Sequence, residues 1–199
     1  IGRLDGAKRI DLLVRAMLRS QTHRELRIAG TGPEMAKLET LAAGDPRIRF
    51  LGRLTNEEVR AQYADAGWVP YVPYDEDYGL VTVEALGAGK PVITCADSGG
   101  VLEFVRDGVN GVIAAPEPDA LAAAIDRVAG DPAYARRLGD AGPAAVRHVT
   151  WPHTIDALLR RGTVAAPAGA ATGAGDTTPR LVVVTTFPVY PPVGGGRSR

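Results

Sequence analysis

Two carboxylates, Glu76 and Glu84, stand eight positions apart in the stretch Asp75-Glu76-Asp77-Tyr78-Gly79-Leu80-Val81-Thr82-Val83-Glu84. Between them an acidic loop ends at Gly79 and an amphipathic run begins, which predicts a helix from about Leu80 to Ala88. A helix start presents unpaired backbone N–H groups and the positive end of a dipole, so it is suited to hold phosphate. The N–H groups of Gly79, Leu80 and Val81 would face the anion. Glu76 would sit in the loop above it, and Glu84, more than one turn along, would reach the same cleft. Phosphate donors beside carboxylates suit a diphosphate with a hydroxylated ring on each side. Arg3 and Lys8, five residues apart, add two cations at a strand end and the next helix start. They could grip the diphosphate and steady it as a leaving group. Each feature also has a plain structural reading, because acidic residues stabilise helix starts and a basic helix start can simply be solvated.

The longer string separates these readings. It closely resembles the E-x7-E motif of retaining family 4 glycosyltransferases, down to the trailing Gly89-Lys90-Pro91-Val92-Ile93 strand and the Asp97-Ser98-Gly99-Gly100 turn. Gly2-Arg3-Leu4 with Lys8 is similar to the G-R-L-x3-K motif of the same family. The resemblance covers residues 1 to about 160 and implies the nucleotide-sugar-binding, C-terminal half of a GT-B enzyme. It implies Glu76 as the catalytic residue, on the donor sugar hydroxyls. It implies Arg3 and Lys8 on the diphosphate, with the Gly79, Leu80 and Val81 backbone. Glu84 would take the ribose hydroxyls, and Arg53 and Leu54 would edge the nucleobase. Glu103 matches an acidic family position, though it also reads as a surface helix carboxylate, and Thr31-Gly32-Pro33-Glu34 matches a family turn read as structural.

The implied reaction is hexosyl transfer, of the EC 2.4 class, from a nucleotide-diphosphate sugar to a glycan, lipid or small-molecule acceptor. It needs no cofactor, and no metal motif is visible. The family's N-terminal domain, which supplies the acceptor surface, is expected to be a missing part of the same polypeptide. Three alternatives stay open: a nucleotide-sugar epimerase, a phosphorylase on the same architecture, and a catalytically silent nucleotide-sugar-binding module.

The elements that must position these residues alternate. Helical spacing over Lys8–Ser20 is followed by a strand at Leu26–Ala29, a helix from about Glu34 to Ala43 and a strand at Ile48–Leu51. Thr55 and Glu58 have the spacing of a capping box before the next helix. A strand at Trp68–Val72 precedes the acidic loop, and the strand Pro91–Thr94 follows the Leu80 helix. Ser98-Gly99-Gly100 is expected to open a helix through Val105, before a strand at Val112–Ala114. Helices follow at Asp119–Ala129, after Asp131-Pro132, and from about Trp151 to Arg161. This order predicts an α/β fold: one doubly wound, Rossmann-like parallel sheet with helices on both faces. Sites in such folds lie at the carboxyl ends of the strands, where all the candidate residues fall.

Three segments are expected. Residues 1–162 form the donor-binding domain, lacking its first strand, since Ile1-Gly2-Arg3-Leu4 reads as a strand end with no strand before it. Residues 163–179, rich in Ala, Gly and Pro, read as a flexible linker. Residues 180–199, with the apolar run Leu181–Phe187 and a glycine-rich loop, read as the start of a second transferase N-terminal domain. On this reading the chain is a fragment.

Composition narrows the partners. The 23 basic and 23 acidic residues cancel, which argues against nucleic acid. No apolar run reaches membrane-spanning length and no signal peptide is visible, so a cytoplasmic location is expected, peripheral at a membrane if the acceptor is a lipid. The single Cys95 ends an apolar run and reads as a packed thiol. His23, His148 and His153 form no metal-ligand spacing.

Overall fold

Strand β4, Val92–Cys95, is buried along its whole length. Successive side chains of a strand point to opposite faces, and here each face meets its own apolar cluster. Val92 joins one with Tyr63, Ala85, Leu86, Val101 and Val146. Ile93 joins the other with Leu13, Val14, Met17, Leu121 and Ile125. Helices therefore cover both faces, as the alternating pattern predicts. The computed structural model describes residues 1–159. The chain divides into two units, Ile1–Val149 and Thr150–Arg199. The expected linker, 163–179, and the strand Leu181–Phe187 lie outside the described residues.

In the first unit the helices are α1, Ile10–Arg19; α2, Met35–Ala42; α3, Asn56–Asp65; α4, Leu80–Gly87; α5, Pro118–Gly130; and α6, Pro132–Val146. The other strands are β1, Leu26–Ala29; β2, Ile48–Gly52; β3, Val69–Pro70; and β5, Gly111–Ala114. Helix α1 packs on α2 and α5, and α4 packs on α6. The capping box is present: Thr55 Oγ1 accepts from the Glu58 N–H at 3.2 Å, and Glu58 Oε2 accepts from the Thr55 N–H at 2.7 Å. The Asp131 carboxylate caps α6 by accepting from the Tyr134 N–H at 2.9 Å, and the same residue follows Gly130 at the end of α5. In the second unit, helix α7 spans Trp151–Leu159, and Thr150 O accepts from the Thr154 N–H at 3.0 Å.

Four features differ from the expected pattern. First, all strand pairs are parallel, but among the described residues they form two sheets, β1–β2 and β3–β4–β5, not one. These are the two halves of a doubly wound order, and β1 and β3 both line a cleft of about 790 Å³. The segment at Gly2 and Leu4 reaches only the end of β1: Gly2 N–H donates to Ala29 O and Leu4 N–H to Thr31 O, both at 3.0 Å.

Second, β3 is two residues long, not five. The Val69 N–H donates to Pro91 O, just before β4, and the Tyr71 N–H to Ile93 O within it, while the intervening Pro70 has no N–H to give on the other side. Third, the expected helix from Lys8 splits. Gly6–Lys8 is a 3-10 turn, Arg9 takes a left-handed conformation at φ 47°, and α1 starts at Ile10. Fourth, the run after Ser98 is a 3-10 turn, Gly100–Glu103. Its end is set by the buried Asn110, whose side chain accepts from the Arg106 N–H and donates to Phe104 O.

Helices α4 and α6 approach at glycine. A Cβ on Gly139 would lie 2.3 Å from Gly89 O, and one on Gly142 would lie 2.7 Å from Leu86 O. Alanine raises helix propensity by roughly 1 kcal/mol, but overpacking against backbone costs about 1–3 kcal/mol. The clash should win, so Gly139→Ala is expected to lower the melting temperature. Gly130→Ala, which would meet nothing within 4 Å, should not. Thermal unfolding of both variants checks this.

Candidate active site

Three loops meet beyond the strand ends, and one side chain joins them. Arg9 Nε donates to Val72 O at 2.9 Å and Nη2 donates to Pro73 O at 2.8 Å. The same guanidinium pairs with Asp97 in fork geometry, Nη1 to Oδ2 at 2.8 Å and Nη2 to Oδ1 at 2.7 Å. These bonds offset the left-handed backbone of Arg9, a conformation that disfavours residues with a Cβ. They also hold the Asp97 carboxyl below the usual aspartate value.

Backbone bonds complete the junction. Tyr74 N–H donates to Ala7 O at 2.8 Å, Asp75 N–H to Asp97 O at 3.0 Å, and Gly100 N–H to Glu76 O at 2.6 Å. A Cβ on Gly100 would stand 2.3 Å from Asp77 O, so glycine is what lets the acidic loop lie on this turn.

Lys8 and Glu76, far apart in sequence, meet on this frame. Lys8 Nζ donates to Glu76 Oε2 in a half-buried ion pair. Tyr71 stands behind both. Its hydroxyl donates to Glu76 Oε2 at 2.8 Å and accepts from Lys8 Nζ at 3.3 Å. The Tyr71 residue is buried and its N–H donates to Ile93 O at 2.9 Å.

Next to this group, α4 begins at Gly79, whose φ of 72° suits glycine. No side chain caps the helix, and among the described residues no acceptor takes the N–H groups of Gly79, Leu80 or Val81. Glu84 lies farther along α4 and accepts from the Tyr63 hydroxyl of α3 at 2.9 Å. Burial first, then the adjacent carboxylate, push the Tyr63 pKa up, so this hydroxyl remains a donor.

Of the remaining candidates, Arg3 lines the same cleft as Lys8 and Tyr71. The Arg3 side chain is 73% exposed, with Nε 3.7 Å from Asp5 Oδ2. Arg53 is exposed and Leu54 half-buried on the loop after β2, and Glu103 is exposed. Burial raises the Cys95 thiol to about 11, which leaves it a packed thiol rather than a nucleophile. Among the described residues no group of three or more His, Cys, Asp and Glu could hold a metal ion, and no helix is long and apolar enough to cross a membrane.

Residues 1–145 match the family model described as glycosyl transferases group 1. The chain belongs to this family. A D-inositol 3-phosphate glycosyltransferase of Mycolicibacterium gilvum is 36% identical over 170 residues, which is 80% of this chain and 37% of that protein. Its counterpart in Geodermatophilus obscurus is 38% identical over 192 residues, covering 86% and 41%. The chain thus spans well under half the length of these curated relatives.

Among solved structures, a sucrose-phosphate synthase from Thermosynechococcus elongatus superposes with a TM-score of 0.66 at 31% identity, over 73% of this chain and 40% of that one. Anabaena Alr3699/HepE in complex with UDP and glucose gives a TM-score of 0.67 at 23% identity, over 79% and 48%. The fold is the Rossmann-like half of a GT-B glycosyltransferase.

Three of the joining residues in this glycosyltransferase domain escape the sequence reading. Arg9 lies beside Lys8 but matches no motif position. Tyr71 and Tyr63 look like ordinary strand and helix residues. A hydroxyl aimed at a carboxylate leaves no local spacing signal.

Two outcomes follow. A group whose folded pKa is depressed adds stability above its unfolded value and loses it as the pH falls through the folded value. Asp97→Asn should therefore be less stable than the parent at neutral pH, with the gap narrowing below pH 3.8, the ordinary aspartate value. Urea titrations across pH check this. Iodoacetamide should label Cys95 at pH 8 only after unfolding, as mass spectrometry would report.

Proposed function

We propose that this domain binds the nucleotide-diphosphate sugar donor of a retaining glycosyltransferase, and that it works as the donor half of a longer polypeptide. The observation that carries the reading is one junction holding Lys8, Glu76 and the uncapped start of α4. The diphosphate takes the Gly79, Leu80 and Val81 N–H groups, with Lys8 and Arg3 as counter-charges. An oriented N–H array and cations stabilise negative charge as the diphosphate departs, without reorganising at that moment. Glu76 lies toward the sugar hydroxyls, and Glu84, aimed by Tyr63, takes the ribose hydroxyls. Arg53 and Leu54 edge the base.

Retention requires the acceptor hydroxyl to arrive on the face from which the diphosphate leaves. The protein's task is then positioning and charge stabilisation, which needs no cofactor. The acceptor surface belongs to another domain of the same polypeptide, and the acceptor is a glycan, lipid or small molecule. A cytoplasmic enzyme, peripheral at a membrane for a lipid acceptor, fits this reading. Family membership favours transfer over the epimerase, phosphorylase or silent-module alternatives. The UDP and glucose named for the Anabaena structure favour uridine diphosphate donors as the first to test.

The test is a thermal-shift panel of UDP-, GDP- and ADP-sugars followed by calorimetry with the matching nucleoside diphosphate. At least one nucleotide sugar should stabilise the full-length protein, and none doing so would refute the reading. Lys8→Ala and Arg3→Ala should each weaken the nucleoside diphosphate about tenfold, the scale of one charge-assisted hydrogen bond. Glu84→Ala should weaken it through the ribose. Glu76→Ala should abolish most turnover without weakening the nucleoside diphosphate. Equal effects of both glutamate substitutions on that ligand would sink the division of roles.

A further inference from the structure

We infer that Tyr71 is the positioning residue that keeps Glu76 aimed at the donor sugar while Lys8 serves the diphosphate. The inference rests on the donor-site reading above and deepens it. Lys8 Nζ, Glu76 Oε2 and the Tyr71 hydroxyl form a closed triangle. Two corners of it carry opposite charge, and a diphosphate would compete for one of them. Its oxygens carry more negative charge than one carboxylate and have the α4 N–H groups beside them, so the ammonium is drawn to the phosphates. Glu76 then loses its bond to Lys8. An ion pair that exchanges in this way does not itself fix the direction of the Glu76 side chain.

Tyr71 differs from Lys8 in what holds it. Its residue is buried, its N–H is tied to Ile93 O at 2.9 Å, and the ring rests 5.8 Å from Lys8 Nζ, measured to its centroid. The hydroxyl cannot follow a phosphate away. Its 2.8 Å bond to Glu76 Oε2 therefore persists when the ion pair is exchanged. The chemistry favours a neutral donor at this point. A hydroxyl fixes the direction of the carboxylate and leaves its negative charge in place. That charge lies where positive charge develops at the sugar as the diphosphate leaves. Lys8 in the same place would cancel it. Tyr71 thus separates two tasks that the ion pair combines: charge for the leaving group and geometry for the sugar.

The test uses the full-length transferase with water as acceptor and the nucleotide sugar selected by the panel, beginning with UDP-glucose. Tyr71→Phe removes only the hydroxyl. It should lower kcat about tenfold, the scale of one hydrogen bond to a charged group, with KM and the affinity for UDP changed less than about twofold. Its melting temperature should match the parent's. In a Glu76→Gln background, Tyr71→Phe should cost nothing further, because the group it aims is gone.

Three other results overturn the inference, and they differ from one another. If Tyr71→Phe keeps full kcat while Glu76→Gln is inactive, Tyr71 does not aim Glu76. If Tyr71→Phe costs the same in both backgrounds, its role is general packing. If Glu76→Gln itself keeps full kcat, the donor-site reading fails and this inference falls with it.

Discussion

The Arg9 guanidinium is the constraint on which the site depends. It spends four hydrogen bonds on three partners, Val72 O, Pro73 O and Asp97, and so locks three loops from different parts of the chain into one body. The Arg9 side chain is 17% exposed and that of Asp97 32%, so the pair is partly screened by solvent. Such a pair adds little net stability over an apolar substitute, and removing one partner leaves the other charge poorly solvated. Its value is specification. It acts with the Tyr74 N–H to Ala7 O bond to bring the loop bearing Lys8 against the loop bearing Glu76. The left-handed backbone at Arg9 is part of the same bargain, since it turns the side chain toward the strand ends before α1 begins.

Glycine supplies the complementary constraint. Gly99 and Gly100 allow the acidic loop to lie directly on the turn after β4, and the Glu76 and Gly99 backbones form an isolated bridge there. Gly79 starts α4 with a backbone that few other residues adopt. A rigid cationic clamp on one side and close backbone contact on the other leave Glu76 little room to move as a segment. What remains adjustable is its side chain, and that is the part Lys8 and Tyr71 hold.

The fold beneath this junction is ordinary in its energetics. Leu13, Val14 and Met17 of α1 meet Leu121, Ile125 and Val128 of α5 in one core, and each fully buried aliphatic side chain contributes about 1.5–3 kcal/mol. The second core is smaller and holds α4 against α6 through glycine contacts. Helix α4 is therefore backed by close packing, which preserves the direction of its N-terminal N–H groups.

Much of this was legible in the residues. Hydrophobic periodicity located the helices and most strands to within a residue or two, because burying an apolar stripe or face is a local pattern with a fixed period. The Thr55–Glu58 box and the Asp131 cap are equally local, since each bond closes within three residues. Glu76, Glu84, Lys8 and the α4 start were visible because carboxylates, a cation and a helix start at close spacing suit phosphate and hydroxyl groups. Three things were decided only in three dimensions. The strands pair as two sheets, since pairing depends on which edges meet and not on any one strand. The left-handed turn at Arg9 breaks a helical pattern because partners more than sixty positions away reward it. Tyr71 and Tyr63 reach their carboxylates across the fold, and a hydrogen bond between distant side chains leaves no trace in the order of the residues.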